Sequence, residues 1–100
     1  LGLDPHLSQL PPLFRRGTMH PADPATAGAV QEFLFAVLDR YVERVAVVKP
    51  QSAFFEQLGW RGVQVLDAVV RHARQLGMLV LLDAKRGDID STAAAYAAYL

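Results

Sequence analysis

Residues 78–85, MLVLLDAK, form a continuous apolar run that ends abruptly in charged residues. A short run of this kind, preceded by a glycine and rich in aliphatic side chains, is typical of a strand buried on both faces of a parallel sheet. Parallel neighbours must be joined by crossover connections, which are usually helices. We therefore expect helices on either side of this strand and an α/β fold.

The remaining sequence alternates predicted strands and helices, as such a sheet requires. Asp23 followed by Pro24 is typical of a helix start, and Gly77 is typical of a helix end. In chain order, we predict a strand end at 1–4, a proline-rich loop at 5–24 with a helical turn near 7–14, a helix from 24 to 41, a strand at 44–50, a short helix at 52–59, a helix at 63–76, a strand at 78–85 and a helix at 90–100. This alternation favours right-handed crossovers within one sheet.

Charged residues end three successive predicted strands. They are Asp4, Lys49 and the pair Asp83 and Lys85, with Asp88 just beyond. Because side chains at i and i+2 of a strand share a face, Asp83 and Lys85 are expected to point the same way and Arg86 the opposite way. Ligands of parallel α/β folds bind beyond the carboxyl ends of the strands.

Two interpretations of these charges are open. They are either ordinary strand-terminal residues that face solvent or bridge loops, or a cluster that serves a site. Recurrence over three strands favours the cluster, in which carboxylates keep lysines protonated and place a proton donor beside a fixed negative charge.

Composition excludes several classes of protein. The 100 residues suffice for one small domain, and a formal net charge of zero gives no electrostatic basis for a nucleic-acid surface. No apolar run approaches the ~18 residues of a membrane span. The absence of cysteine excludes disulfides and thiolate metal sites, and the three histidines lack metal-ligand spacing. A cytoplasmic protein is expected.

The segment DAKRGDIDST, residues 83–92, resembles the signature of the orotidine 5′-phosphate decarboxylase family, Asp-x-Lys-x-x-Asp-Ile/Val-x-x-Thr. GLDP at 2–5 and VKPQSAFFE at 48–56 resemble segments of the bacterial branch, so the resemblance covers nearly the whole chain in the right order. It implies a (β/α)8 TIM barrel. Such a barrel needs roughly 250 residues, so residues 1–100 are expected to be the N-terminal part of a single barrel domain, with about three βα units.

The resemblance also implies a reaction and residue roles. Members of the family convert orotidine 5′-phosphate to UMP and CO2 in de novo pyrimidine biosynthesis, without a metal ion or organic cofactor. By resemblance, Lys85 donates the proton that replaces the carboxylate at C6, and Asp83 lies against the departing carboxylate and holds Lys85. Lys49 would bind Asp83 and the ribose hydroxyls, and Asp4 would also contact the ribose.

A homodimer with shared active sites is implied as well. Asp88, Ile89 and Thr92 would reach into the neighbouring subunit's site, where Asp88 completes a Lys-Asp-Lys-Asp array and Thr92 touches the substrate. The phosphate-binding arginine of the family comes from later strands. We therefore expect the 100 residues alone to be inactive.

Two alternative functions fit parts of the pattern. The sibling enzymes 3-keto-L-gulonate 6-phosphate decarboxylase and hexulose-phosphate synthase resemble the same barrel, but they use Mg²⁺ and have an acid where Lys49 stands. Lys49 argues against them, because a second ammonium would repel a metal ion. A non-catalytic barrel that binds nucleotide or acts as a scaffold is the other alternative, and the presence of Asp83, Lys85 and Asp88 argues against it.

Other prominent side chains are expected to have structural roles. His72 is predicted to lie on the polar, solvated side of its helix. Arg86 is predicted to form a salt bridge or an interface contact. Phe54, Phe55 and Trp60 are predicted to pack in the core or at an interface.

Overall fold

A computed structural model describes residues 1–99. It contains three strands, four α-helices and two 3-10 turns. In chain order these are β1 (Gly2–Leu3), 3-10 turns at Leu7–Gln9 and Pro12–Phe14, α1 (Pro24–Tyr41), β2 (Val47–Pro50), α2 (Ser52–Glu56), α3 (Trp60–Gln75), β3 (Leu79–Val80) and α4 (Asp90–Tyr99). The predicted alternation is confirmed, and Leu100, the last residue of the predicted final helix, lies outside the described residues.

The strands form one parallel sheet in the order β1-β2-β3. Gly2 pairs with Lys49, Val47 pairs with Leu79, and an isolated parallel bridge joins Gln51 to Asp83 beyond the regular strands. This register aligns the carboxyl ends of the strands along one edge of the sheet. It also divides the strand side chains between a face covered by helices and an opposite face.

The hydrophobic core lies between the sheet and the helices. α1 and α3 pack against each other, and α3 also packs on β2 and β3. Each of these two helices buries apolar residues at helical spacing on one face. Its residues include Leu3 and Val48 from the sheet, Val30, Leu34 and Leu38 from α1, and Val65, Leu66, Val69 and Ala73 from α3.

The expectation that residues 78–85 form a strand buried on both faces is wrong for the described chain. Leu79 and Leu81 are 70% and 61% exposed, and Val47 beside them is also exposed. These side chains lie on the face away from the helices. A closed barrel buries that face by curling the sheet on itself, whereas the three strands described here form an open sheet.

The helix ends lie at the capping and turn residues predicted from the sequence, with one exception. The Asp23 carboxylate accepts a hydrogen bond from the Ala25 amide at 2.9 Å and so caps α1. Gly77, with φ +82°, follows the end of α3 as predicted. Gly59 was expected to end the short helix, but α2 ends earlier, and Gly59, at φ +71°, precedes the first residue of α3.

His72 is half-buried between two helices, whereas the sequence predicts a solvated position. Its ring stacks on Phe35 with centroids 4.2 Å apart, and its Nε2 lies 2.6 Å from Oδ1 of Asp39. The His72 side chain is 21% exposed and joins α3 to α1. Of the three aromatic residues expected to pack, Phe55 is fully buried, whereas Trp60 is exposed beneath the Arg61 guanidinium.

No helix among residues 1–99 combines the length and the apolar character that crossing a membrane requires.

Substitution of Gly62 tests the close packing between α2 and the start of α3. A Cβ at this position would overlap the Phe55 carbonyl oxygen, which belongs to the backbone and cannot turn aside. In the natural polypeptide that contains this chain, Gly62→Ala should lower the free energy of unfolding by ~1–3 kcal/mol because overpacking forces the backbone apart. Urea denaturation would measure the loss.

Gly28→Ala is the matched control for that variant. Gly28 also lies within a helix, but its added Cβ would meet only the flexible Arg16 side chain, at 3.7 Å. The variant should be stabilised by ~0.5–1 kcal/mol because alanine loses less backbone entropy than glycine. Equal effects of the two substitutions would contradict the packing described for Gly62.

Candidate active site

The Asp83 carboxylate is the centre of a polar cluster at the carboxyl edge of the sheet. Lys85 Nζ donates a hydrogen bond to Asp83 Oδ1 at 2.9 Å. On the other oxygen, Gln51 Nε2 donates to Oδ2 at 3.0 Å, and Lys49 Nζ lies 3.6 Å away. The Asp83 side chain is 25% exposed and the Lys85 side chain 82%. The acid is therefore held within the structure, while the ammonium of Lys85 faces outward.

Backbone hydrogen bonds at the ends of the strands fix this arrangement. The Asp83 amide donates to the Pro50 carbonyl at 2.9 Å, and the Ser52 amide donates to the Asp83 carbonyl at 3.0 Å. The Gln51 amide donates to the Leu3 carbonyl at 3.1 Å. All three strand ends are thus tied together where the charged side chains project.

The cluster favours an ionised Asp83. The hydrogen bond from Lys85 is the largest cause that lowers the pKa of the Asp83 carboxyl below its ordinary value of 3.8. Partial burial opposes this shift, while the charges of Lys85 and Lys49 and the hydrogen bond from Gln51 add to it. The site therefore presents a carboxylate between two ammonium groups at neutral pH.

The two lysines of this cluster, Lys49 and Lys85, are the only lysines in the sequence; the other eight basic residues, apart from histidines, are arginines. An arginine side chain does not release its proton in proteins, whereas a lysine ammonium does. Both lysine ammonium groups of the sequence therefore lie at the carboxyl edge of the sheet.

Arg86 faces away from Lys85, as predicted from strand alternation. Its guanidinium forms a salt bridge with Glu56 of α2, and Ser52 Oγ donates to the same carboxylate at 2.6 Å. The Arg86 guanidinium also lies 5.9 Å from the centre of the Tyr96 ring in α4. The predicted salt bridge is confirmed, and it anchors the segment that follows the Asp83–Lys85 pair.

Four predicted site residues lie outside the Asp83 cluster. Asp4 is exposed, and its carboxylate takes part in no salt bridge within residues 1–99. Asp88 Oδ1 accepts a hydrogen bond from the Ile89 amide at 2.8 Å and does not pair with Lys85. Ile89, just before α4, and Thr92, in the first turn of α4, are both exposed.

Gln51 belongs to the cluster but was missed by sequence reasoning, which considered only charged strand ends. The signal was present, because Gln51 follows Lys49 by two residues and so shares its face of the strand. As for metal ligands, no group of three or more His, Asp or Glu side chains in the described chain is placed to hold an ion.

Comparison with known proteins decides the family. The model of the orotidine 5′-phosphate decarboxylase / HUMPS family matches residues 1–100. The chain belongs to this family. It is 52% identical to orotidine 5′-phosphate decarboxylase of Salinispora tropica and 46% identical to that of Rhodopirellula baltica, over its whole length in both cases. It spans about a third of each relative, 34% and 33% respectively.

Solved structures of the family share the fold of this chain. A crystal structure assigned to an orotidine 5′-phosphate decarboxylase of Streptomyces avermitilis matches with a TM-score of 0.76 and 44% identity. A Toxoplasma gondii structure matches with a TM-score of 0.77 and 40% identity. Each match covers 97% of this chain and 31% or 30% of the solved chain. The three parallel strands and their helices are the first βα units of a TIM barrel, which confirms the predicted fold class.

The electrostatics of Asp83 predict how stability depends on pH. Because its folded-state pKa is depressed, its ionised form contributes stability that is full above the ordinary value of 3.8 and is lost as the pH falls through the folded pKa. The difference in unfolding free energy between wild type and Asp83→Asn should therefore be constant above about pH 5 and shrink on acidification. Urea denaturation across pH measures it, and a difference that grows on acidification would contradict the described pairing.

Proposed function

We propose that the natural polypeptide containing this chain is an orotidine 5′-phosphate decarboxylase that forms UMP and CO2 in de novo pyrimidine biosynthesis. The observation that carries this proposal is the Lys85–Asp83 pair, with Lys49 on the other oxygen of the carboxylate. The names of the relatives support it. A carboxylate flanked by ammonium groups is suited to a reaction that removes a carboxylate and then requires a proton.

The proposed chemistry uses these groups in one sequence. Cleavage of the bond between C6 and the substrate carboxylate releases CO2 and leaves the electron pair on C6. The Lys85 ammonium stabilises this developing carbanion and then transfers its proton to C6, which gives UMP. A preorganised cation next to developing negative charge is the larger contribution expected in such a site. Asp83 holds the Lys85 ammonium in place until that transfer.

Lys49 and Asp4 are proposed to orient the ribose. Lys49 lies 3.6 Å from Asp83 and remains partly exposed, so its ammonium can bind Asp83 and a hydroxyl together. Asp4 is exposed near the end of β1, at the same edge of the sheet. An exposed carboxylate at this edge can accept a hydrogen bond from a ribose hydroxyl.

Asp88, Ile89 and Thr92 are proposed to act across a homodimer. All three are exposed and lie outside the Asp83 cluster of their own chain. Arg86, just before them, is anchored to Glu56, and the Asp88 carboxylate does not pair with Lys85 of its own chain. A second copy of the chain would receive Asp88 beside Lys85 and Thr92 beside the substrate.

The reaction is proposed to need neither a metal ion nor an organic cofactor. Lys49 supports this view because its ammonium occupies the side of Asp83 where a cation would otherwise bind, and like charges repel. The Mg²⁺-dependent sibling enzymes of sugar-phosphate metabolism remain the alternative function. They require an acid at this position rather than a lysine.

Lys85 substitutions test the proposed reaction directly. The wild-type polypeptide should decarboxylate orotidine 5′-phosphate at the same rate in EDTA. Lys85→Ala should lower kcat by about 10²- to 10⁴-fold or more, the range for loss of a positioned proton donor. Lys85→Arg should also fail, because it keeps the charge but cannot transfer a proton. Release of CO2 and the change in pyrimidine absorbance would measure turnover.

The control for this experiment is Arg71→Ala, which removes an exposed cation paired with Asp67 on α3 and should leave kcat unchanged. Turnover that appears only when Mg²⁺ and a keto-sugar phosphate are supplied would reject orotidine 5′-phosphate decarboxylase activity. It would favour the Mg²⁺-dependent sugar-phosphate enzymes instead. Full activity of Lys85→Ala would reject the role given to Lys85.

Shared active sites predict that two inactive variants restore each other. In a mixed dimer of Lys85→Ala and Asp88→Ala subunits, one site combines an intact Lys85 with an intact Asp88 from its neighbour. Random mixing in equal amounts should therefore recover about one quarter of the wild-type activity, since half of the dimers are mixed and each has one complete site. Co-expression followed by an activity assay would measure it. No recovery in verified mixed dimers would place Asp88 in its own chain's site or outside any site.

A further inference from the structure

Gln51 is the uncharged member of the Asp83 cluster. Its Nε2 donates to Asp83 Oδ2 at 3.0 Å, which leaves Oδ1 to accept the hydrogen bond from Lys85. We infer that Gln51 is a positioning residue, which sets the orientation of the Asp83 carboxylate and thereby the position of the Lys85 ammonium in the reaction. This inference rests on the proposed decarboxylase function and adds a residue to it.

The backbone at Gln51 is suited to such a role because it is held from both sides. Its amide donates to the Leu3 carbonyl of β1, and it forms a parallel bridge with Asp83 itself. The next amide, that of Ser52, donates to the Asp83 carbonyl at 3.0 Å. The amide side chain therefore starts from a fixed point directly beside the carboxylate, as a supporting residue of a preorganised site must.

The lysine that Gln51 would position has few restraints of its own. The Lys85 side chain is 82% exposed, and a lysine places its charge on a flexible four-carbon stem. Its hydrogen bond to Asp83 Oδ1 is the contact that fixes the ammonium within the described chain. Rotation of the carboxylate would move that contact, so whatever holds Oδ2 also directs Lys85.

A neutral amide is the appropriate donor at Oδ2. Lys49 already approaches this oxygen at 3.6 Å, and a third cation would repel both lysines. A carboxylate oxygen has two lone pairs, so Oδ2 accepts from the Gln51 amide without losing its attraction to Lys49. Gln51 thus restrains the carboxylate without changing the net charge of the cluster.

Kinetics of Gln51→Leu in the natural polypeptide test the inference. This variant keeps the approximate size of the side chain and removes its hydrogen bond. We expect kcat for orotidine 5′-phosphate to fall about 10- to 100-fold, as for loss of a hydrogen bond to a charged group. KM should change much less, because the misplaced ammonium acts at the transition state. The acid limb of the kcat profile should move to higher pH, since the pKa of Asp83 loses one of the hydrogen bonds that lower it.

Gln51→Glu gives a second readout that a purely structural role would not produce. In this variant the ionised carboxylate cannot donate to Asp83 and repels it, whereas the protonated acid can donate as the amide does. The activity of the variant relative to wild type should therefore rise as the pH falls. Gln64→Leu, which changes an exposed glutamine on α3, is the control and should match wild type at every pH.

The outcomes separate this inference from the function on which it rests. Absence of turnover in the wild type would overturn the proposed function, and with it the reaction that Gln51 would serve. An active wild type with an unchanged kcat and acid limb in Gln51→Leu would overturn the inference alone. If Gln51→Leu does not fold, a pH-independent activity ratio for Gln51→Glu would overturn it equally.

Discussion

Hydrogen bonds between the ends of β2 and β3 place the Asp83 carboxylate beside Lys49 and Gln51. The same register turns Val48 and Pro50 into the core beneath the helices. Since a slip of one residue would exchange the two faces of a strand, the packing of the core and the assembly of the charged cluster depend on one alignment. The site is therefore stabilised by the burial of apolar residues that do not belong to it.

Arginine and lysine side chains occupy different parts of the structure. Arginine serves in the salt bridges away from the cluster, with Glu32, Asp67 and Glu56, where a permanent charge is sufficient. Lysine occurs only at the carboxyl edge of the sheet, where a proton must be held and then released under the proposed function. Under the proposed function, the Asp83 carboxylate lies between the two ammonium groups and holds Lys85 in place until the substrate carbanion develops.

The sequence predicted those parts of the molecule that depend on local pattern. The strand and helix order, the cap at Asp23, the turn at Gly77 and the opposite directions of Lys85 and Arg86 all follow from spacing and turn chemistry. His72 was misjudged because its stacking on Phe35 depends on how α1 packs against α3, which spacing within α3 does not reveal. Gln51 was overlooked because an uncharged polar residue after a strand is common, and only its register with Asp83 distinguishes it. The exposure of Leu79 and Leu81 depends on which strands complete the sheet, and residues within one strand cannot specify that.

The alternation of side chains after β3 also gives neighbouring residues of the following loop different partners. Asp83 and Lys85 point toward the edge where the strands end, while Arg86 points back to Glu56 and holds the loop against α2. Lys85 donates one hydrogen bond to Asp83, and an ammonium has three protons to donate. Its exposed side thus has capacity for both a substrate and a second carboxylate. Asp88 of the same chain bonds the Ile89 amide instead. Under the proposed function, the Asp88 carboxylate of a second copy of the chain would bind there, and catalysis would then depend on association.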